Sequence, residues 1–172
     1  MEKGYVHVLT GNGKGKTTAA LGMAIRAAGA GYKVFLGQFV KRGEFSEISA
    51  LKRFCDAITV EQFGLGRFSG QKPDREDIQA ARDGIERIKQ TLQSGVYDMV
   101  ILDEANVAVK LGLIPVQDLI GIIHNKPEPI ELVITGRHAS PKIIEMADLV
   151  TEFKLCKHYY TAGVEARVGI EM

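Results

Sequence analysis

Strands and helices in alternation, around a mainly parallel sheet with helices on both faces, make up the fold class this sequence predicts. Two observations carry it. Uninterrupted apolar runs, Met99–Leu102 (MVIL) and Leu132–Thr135 (LVIT), read as strands buried on both sides. The first strand also runs through a glycine-rich turn, Thr10-Gly11-Asn12-Gly13-Lys14-Gly15-Lys16-Thr17-Thr18, straight into a helix of small residues.

The elements follow in order. Tyr5–Leu9 is the first strand, and the helix from Lys16 to about Ala30 stops at Gly29 and Gly31. Lys33–Phe39 is a strand. A helix from Ser46 to Phe54 presents Ile48, Leu51 and Phe54 on one face, and Ile58–Phe63 is the third strand. After the glycine-rich stretch Gly64–Pro73, Asp74 caps a helix over Arg75–Ser94, with Ile78, Ala81, Ile85, Ile88 and Leu92 at helical spacing. Met99–Leu102 is the fourth strand. Pro115 opens a helix to His124, and Glu131–Thr135 is the fifth strand. A short helix over Pro141–Ala147 and a strand over Leu149–Leu155 complete the pattern. No linker or repeat divides the 172 residues, so one α/β domain spans 1–172.

Strand, glycine turn and helix start form the P-loop unit, and the chemistry explains its residues. Glycines let successive backbone N–H groups curl around an anion. The helix start adds unpaired N–H donors and a positive dipole end. Lys16 brings a mobile cation, and the Thr17 hydroxyl can ligate Mg²⁺. The usual G-x-x-x-x-G-K-[ST] pattern has its first glycine where this chain has Thr10, with Gly11 one place later. A P-loop NTPase-like, RecA-like domain is therefore expected. The fourth strand ends in Asp103-Glu104, at the carboxyl edge where open α/β sheets bind ligands. Either carboxylate can hold a metal ion there, and spacing does not choose between them. Asn125-Lys126-Pro127-Glu128 resembles a guanine-reading element, but it follows a helix and precedes a strand. It is expected at the opposite edge, as a turn.

Three further segments reach the ligand edge. Lys41 and Arg42 leave the second strand and can meet an anion. Arg137 ends the fifth, with a donor fork suited to carboxylate, amide or phosphate oxygens. The run Lys157–Gly163 lies beyond the sixth and is expected to wall the site. The loop Gly64–Gly70 has the composition of a lid, and its Phe68 either covers a flat ligand or packs.

Composition narrows the function classes. Apolar residues make up 45%, enough for a full core, and the formal net charge is +1. That balance argues against a general nucleic-acid surface or a polybasic membrane patch. Cys55 and Cys156 form no C-x-x-C pair, and the four histidines lack metal-binding spacing. No apolar run reaches the ~20 residues of a membrane span. Met1–Gly4 leads almost directly into the first strand, so no secretory leader is expected and a cytoplasmic setting is the default.

GNGKGKTTAALG, QFVKRG, VILDEAN, TGRHASPKIIEMADLVTEF and KHYYTAGVEARVGIE, taken in this order, resemble the P-loop type of ATP:corrinoid adenosyltransferases. The resemblance runs from about Gly4 to Glu171. It implies transfer of the 5′-deoxyadenosyl group of ATP to a corrinoid cobalt reduced to Co(I), with release of triphosphate, in cobalamin biosynthesis or salvage. It implies a homodimer, a divalent cation (Mg²⁺ or Mn²⁺), and an electron-donating flavoprotein as a possible partner. Gly11, Asn12, Gly13, Lys14, Gly15, Lys16, Thr17 and Thr18 would hold the triphosphate, with Lys16 and Lys14 meeting the charge that grows on it. Thr17 and Glu104, with Asp103, would place the metal, and the loop around Phe68 would face the corrinoid. Relatives often pair Phe with Trp in that loop; this chain has no Trp and offers Phe63 and Phe68. Because the reacting carbon is on the ribose, and because the first glycine is slipped, ATP is expected to lie reversed in the loop. Two other readings stand beside this one. A P-loop ATPase or small-molecule kinase would use Glu104 to activate water or a hydroxyl and would yield ADP; a non-catalytic nucleotide-binding protein would show no turnover.

Overall fold

The structure, a computed structural model, describes residues 1–66 and 72–171. Six strands form one sheet in the order β3-β2-β4-β5-β1-β6. They are β1 (Val6–Thr10), β2 (Val34–Gln38), β3 (Ile58–Gln62), β4 (Met99–Asp103), β5 (Glu131–Thr135) and β6 (Leu149–Glu152). Every pairing is parallel, so all carboxyl ends lie along one edge.

Alternate residues of the strands feed two separate cores, the consequence of a sheet buried on both sides. On one face Leu9, Leu36, Ile101 and Val133 meet Ala20, Ala24 and Ala27 of α1 (Lys16–Gly29) and Leu51 of α2 (Ser46–Leu51). The small alanines let α1 lie close over the sheet. On the other face Val8, Phe35, Leu102 and Ile134 meet four helices: α3 (Arg75–Gln93), α4 (Ala105–Lys110), α5 (Val116–His124) and α6 (Pro141–Met146). Ala81, Ile85, Ile88 and Leu92 of α3 are all buried, the stripe expected from their spacing. Asp74 caps α3 in a reciprocal capping box with Asp77.

Differences from expectation have local causes. The helix expected over Ser46–Phe54 tightens into a 3-10 turn at Lys52–Phe54, which turns Phe54 outward to 40% exposure. The segment after β4 holds α4, too short to show a helical period, since only six residues separate Glu104 from its C-cap at Leu111. β6 ends at Glu152, not Leu155, and sits at the free edge with Leu149 and Val150 exposed, so this strand is not buried on both faces. Phe63, one of two aromatics considered for contact with the corrinoid, is an internal packing residue. Its ring fills the space over Gly37 and Gly84, where an added Cβ would lie 2.8 and 2.5 Å from it, and stacks tilted on Phe39 at 5.4 Å.

At the amino edge, Lys126 donates to the carbonyls of Gly4, Pro127, Glu128 and Ile130. Asn125–Glu128 is thus a turn that ties down the start of β1, at the end of the sheet away from the P-loop, as its position in the chain implies.

Candidate active site

The cavity at the carboxyl edge, of about 610 Å³, is lined by Asn12–Thr18, Leu21, Lys41, Ser46, Glu47, Glu104 and Arg137, and by His158, Gly169, Ile170 and Glu171 from the C-terminal tail. The register explains its floor. Gln62, Gln38 and Asp103 stand side by side at the ends of β3, β2 and β4, and Thr135 ends β5 beside β1.

The glycines of the loop are required by close approach. A Cβ on Gly11 would lie 2.5 Å from the Phe153 carbonyl oxygen, and Gly11 has a φ of +94°. One on Gly13 would lie 2.8 Å from the carbonyl oxygens of Phe153 and Lys154. The chain leaving β6 therefore passes directly over the loop, and the Gly13 N–H donates to Phe153 O at 2.6 Å. α1 carries no acidic residue in its first turn, so no side chain of that turn competes for its N-terminal N–H groups. Lys16 is buried, and its ammonium donates to the carbonyls of Gly11 and Gly13 at 2.8 and 2.7 Å. Burial, and then the nearby Arg137 guanidinium, lower its pKa.

Asp103 is fully buried and its carboxylate is fully engaged. Oδ1 accepts from Thr17 Oγ1 at 2.9 Å and Thr135 Oγ1 at 2.7 Å; Oδ2 accepts from Gln38 Nε2 at 3.1 Å and lies 3.4 Å from Lys41 Nζ. Glu104 follows in the left-handed region, with φ 59°. A non-glycine residue is held there only by its surroundings. Here Glu104 N donates to Thr135 Oγ1 at 2.9 Å, which turns its side chain into the cavity. Burial, and then the charge on Asp103, raise the Glu104 pKa.

The tail closes the other side. Glu171 pairs with Lys14 at 2.8 Å and with Arg167 at 3.3 Å, and the Tyr159 hydroxyl hydrogen-bonds both Lys14 and Glu171. Arg167 first, then Lys14, hold the Glu171 carboxyl well below the usual carboxylate range. The hydrogen bond that Lys14 donates to Glu171 raises the Lys14 pKa in turn.

Of the residues singled out from sequence, Asn12–Thr18, Lys41, Glu104 and Arg137 meet at this one cavity, with Gly11 under the loop and Asp103 beneath its floor. Phe68 lies outside the described residues. Sequence reading did not find Gln38, Gln62, Thr135 or Glu171 as individuals. Their signal was positional only: Gln38, Gln62 and Thr135 end strands, and Glu171 lies in the C-terminal tail.

Comparison with known proteins adds the family. The model for the ATP:corrinoid adenosyltransferases BtuR/CobO/CobP matches residues 2–172. The chain belongs to the ATP:corrinoid adenosyltransferase family. A corrinoid adenosyltransferase of Pseudomonas aeruginosa is 38% identical over 172 residues, covering 99% of this chain and 84% of that one. One from Escherichia coli K12 is 36% identical over 175 residues, covering 99% and 86%. Among solved structures, a KaiC-like protein from Pyrococcus horikoshii OT3 superimposes with a TM-score of 0.62 at 17% identity, over 91% of this chain and 75% of that one. That likeness shows the RecA-like P-loop fold alone. Within the adenosyltransferase family, then, this chain has its P-loop and its acidic pair one strand apart, with β5 between them.

Proposed function

We propose that the chain moves the 5′-deoxyadenosyl group of ATP to the Co(I) of a reduced corrinoid. The cobalt electron pair attacks C5′ and forms the cobalt–carbon bond. The C5′–oxygen bond breaks, and triphosphate leaves with its electrons. Family membership supports the reaction, and one structural observation supports the site: four cationic side chains, Lys14, Lys16, Lys41 and Arg137, line a single cavity over a P-loop.

Co(I) is nucleophilic enough to need no protein base. The protein's work is to bind the polyphosphate, stabilise the charge it gathers, hold C5′ in line and exclude water. The loop N–H groups and Thr18 cradle the phosphates. Lys16 releases Gly11 O and Gly13 O to meet them, and Lys14 joins it. Residues suited to a divalent cation are also present, since hydroxyl and carboxylate oxygens are the donors Mg²⁺ or Mn²⁺ prefers. The Thr17 hydroxyl, with its proton directed to Asp103, and the cavity-facing Glu104 would hold it, with Asp103 acting from behind. A bound cation would supply charge neutralisation on the leaving triphosphate. ATP lies reversed in the loop in this reading, so that C5′ faces outward; a nucleotide-bound structure with the γ-phosphate in the usual place beside Lys16 would contradict that.

A second copy of the chain is proposed as a partner, supported by the exposed Leu149 and Val150 along the free edge of β6. An electron-donating flavoprotein is proposed from the family likeness. No described helix is long and apolar enough to cross a membrane.

Anaerobic incubation with ATP and chemically reduced cobalamin tests the reaction. Alkylated cobalt and stoichiometric triphosphate are expected. ADP in place of triphosphate would point to the kinase or ATPase reading, and absence of both products would leave only nucleotide binding.

A further inference from the structure

Lys41 stands among the oxygens of the proposed metal subsite, beside a cavity that Lys16 and Arg137 also line. Its ammonium stands 3.4 Å from Thr17 Oγ1, 3.4 Å from Asp103 Oδ2 and 3.9 Å from Glu47 Oε1 of α2. Glu104 lines the same cavity and feels the Lys41 charge. The Lys41 side chain is only 24% exposed, and Asp103 is not exposed at all, so the attraction acts largely away from bulk water.

The placement is built into the backbone. Val40, a β-branched residue, has φ +69°, and the Lys41 N–H donates to Phe39 O at 2.7 Å, which makes a strained γ-turn. Two contacts hold that turn. Gly64 crosses so closely that a Cβ there would lie 2.3 Å from the Val40 carbonyl carbon. Gln62 clasps the backbone of Gly43, accepting from its N–H and donating to its carbonyl, both at 3.1 Å. The Gln62 amide also donates to Gln38 Oε1 at 3.1 Å, and Gln38 donates onward to Asp103. The turn that aims Lys41 and the carboxylate it faces thus belong to one hydrogen-bonded line. Strain kept at a site by several independent contacts points to a role for the residue it aims.

We propose that Lys41 is a resident cation of the metal subsite, which a divalent ion must displace, and that it thereby couples metal binding to polyphosphate binding. Without polyphosphate, the tethered ammonium already compensates Asp103, Glu104 and Glu47, and an incoming ion gains little. With polyphosphate in the cradle, Lys41 has new anionic oxygens to reach, and it vacates the position as the ion enters. By linkage the ion strengthens polyphosphate binding by the same factor. This inference rests on the proposed function, which places a polyphosphate and a metal at this cavity.

Mn²⁺ binding, read by electron paramagnetic resonance on the nucleotide-free protein, is the test. Wild type is expected to bind weakly and to tighten strongly when inorganic triphosphate is added. Lys41→Met and Lys41→Gln should bind Mn²⁺ roughly ten- to a hundredfold more tightly without triphosphate, within the ordinary range of site coupling, and should tighten less when it is added. Lys41→Arg, which keeps the charge, should resemble wild type. Adding Thr17→Val to Lys41→Met should abolish the gain, which places the ion at this subsite. Unchanged or weaker affinity in both neutral variants, a gain in Lys41→Arg, or a gain that survives Thr17→Val would overturn the proposal. Failure of triphosphate to tighten Mn²⁺ binding in wild type would overturn the coupling, and failure of triphosphate to bind at all would count against the polyphosphate site of the proposed function.

Discussion

Thr17 and Asp103, 86 positions apart in the chain, are joined by a hydrogen bond of 2.9 Å in which the Thr17 hydroxyl is the donor. The direction matters. With its proton committed to a buried carboxylate, the hydroxyl turns its lone pairs toward the cavity, where a cation would find them. Asp103 keeps this role because Thr135 and Gln38 occupy its remaining positions.

Asp103→Ala should therefore be costly beyond catalysis. It strands the donors of Thr17, Thr135 and Gln38, and each unsatisfied buried donor costs about 1–3 kcal/mol. A stability loss of roughly 3 kcal/mol or more in urea titration is expected, with a smaller loss for Asp103→Asn. A loss below about 1 kcal/mol for the alanine variant would show that the network relaxes freely.

Lys16→Met should separate activity from stability. Lys16 is buried, and its pKa is lowered chiefly by that burial, so the charge is held at a cost to the fold. Its removal is expected to leave the thermal midpoint unchanged or higher. Adenosyl transfer should fall by about a hundred- to a thousandfold in kcat/KM, the effect of deleting one preorganised donor. Parallel losses in both measurements would mean that Lys16 is structural.

Two glycine substitutions should diverge. Gly13→Ala drives a methyl group against Phe153 O and Lys154 O and should raise KM for ATP more than tenfold with the far-ultraviolet circular dichroism retained. Gly22→Ala sits inside α1 with nothing within 4 Å and should stabilise the protein by about 0.5–1 kcal/mol, the helical preference for alanine. Normal ATP affinity in Gly13→Ala would remove the close approach of the β6 exit as the reason for that glycine.

The pairing at the C-terminus carries a pH dependence with a definite sign. Arg167 and Lys14 hold the Glu171 carboxyl below its ordinary value of 4.5. A group whose pKa is depressed by folding contributes stability above its unfolded value and loses it as pH falls through the folded value. The contact of the tail with the loop should thus persist through pH 4.5 and release only in more acidic solution. Carboxyl carbon NMR should show Glu171 titrating below 4.5, and Lys14→Met should move that titration upward. A Glu171 that titrates normally in the intact protein would mean that the tail is not docked.

Local chemistry made most of the fold legible. The strands β1, β4 and β5 were found from apolar runs, and α3 from its stripe and its Asp74 cap, because burial imposes a period that survives in the sequence. The P-loop was equally plain, since an anion cradle demands glycine, lysine and threonine at fixed spacing. The short α4 and the exposed β6 were misjudged or missed because six residues give no period and an edge strand needs no second apolar face.

The sequence by itself determined the parallel α/β architecture, the phosphate cradle and the presence of two carboxylates beyond β4. It could not divide the work between them, because Asp103 and Glu104 are neighbours of the same charge. Tertiary structure gives the two different surroundings. Parallel register sets Gln38 and Thr135 against Asp103, and a left-handed backbone swings Glu104 toward open space. The folding of residue 171 onto residue 14 is likewise a product of packing. An ion pair between the two ends of a chain leaves no spacing for a sequence to display.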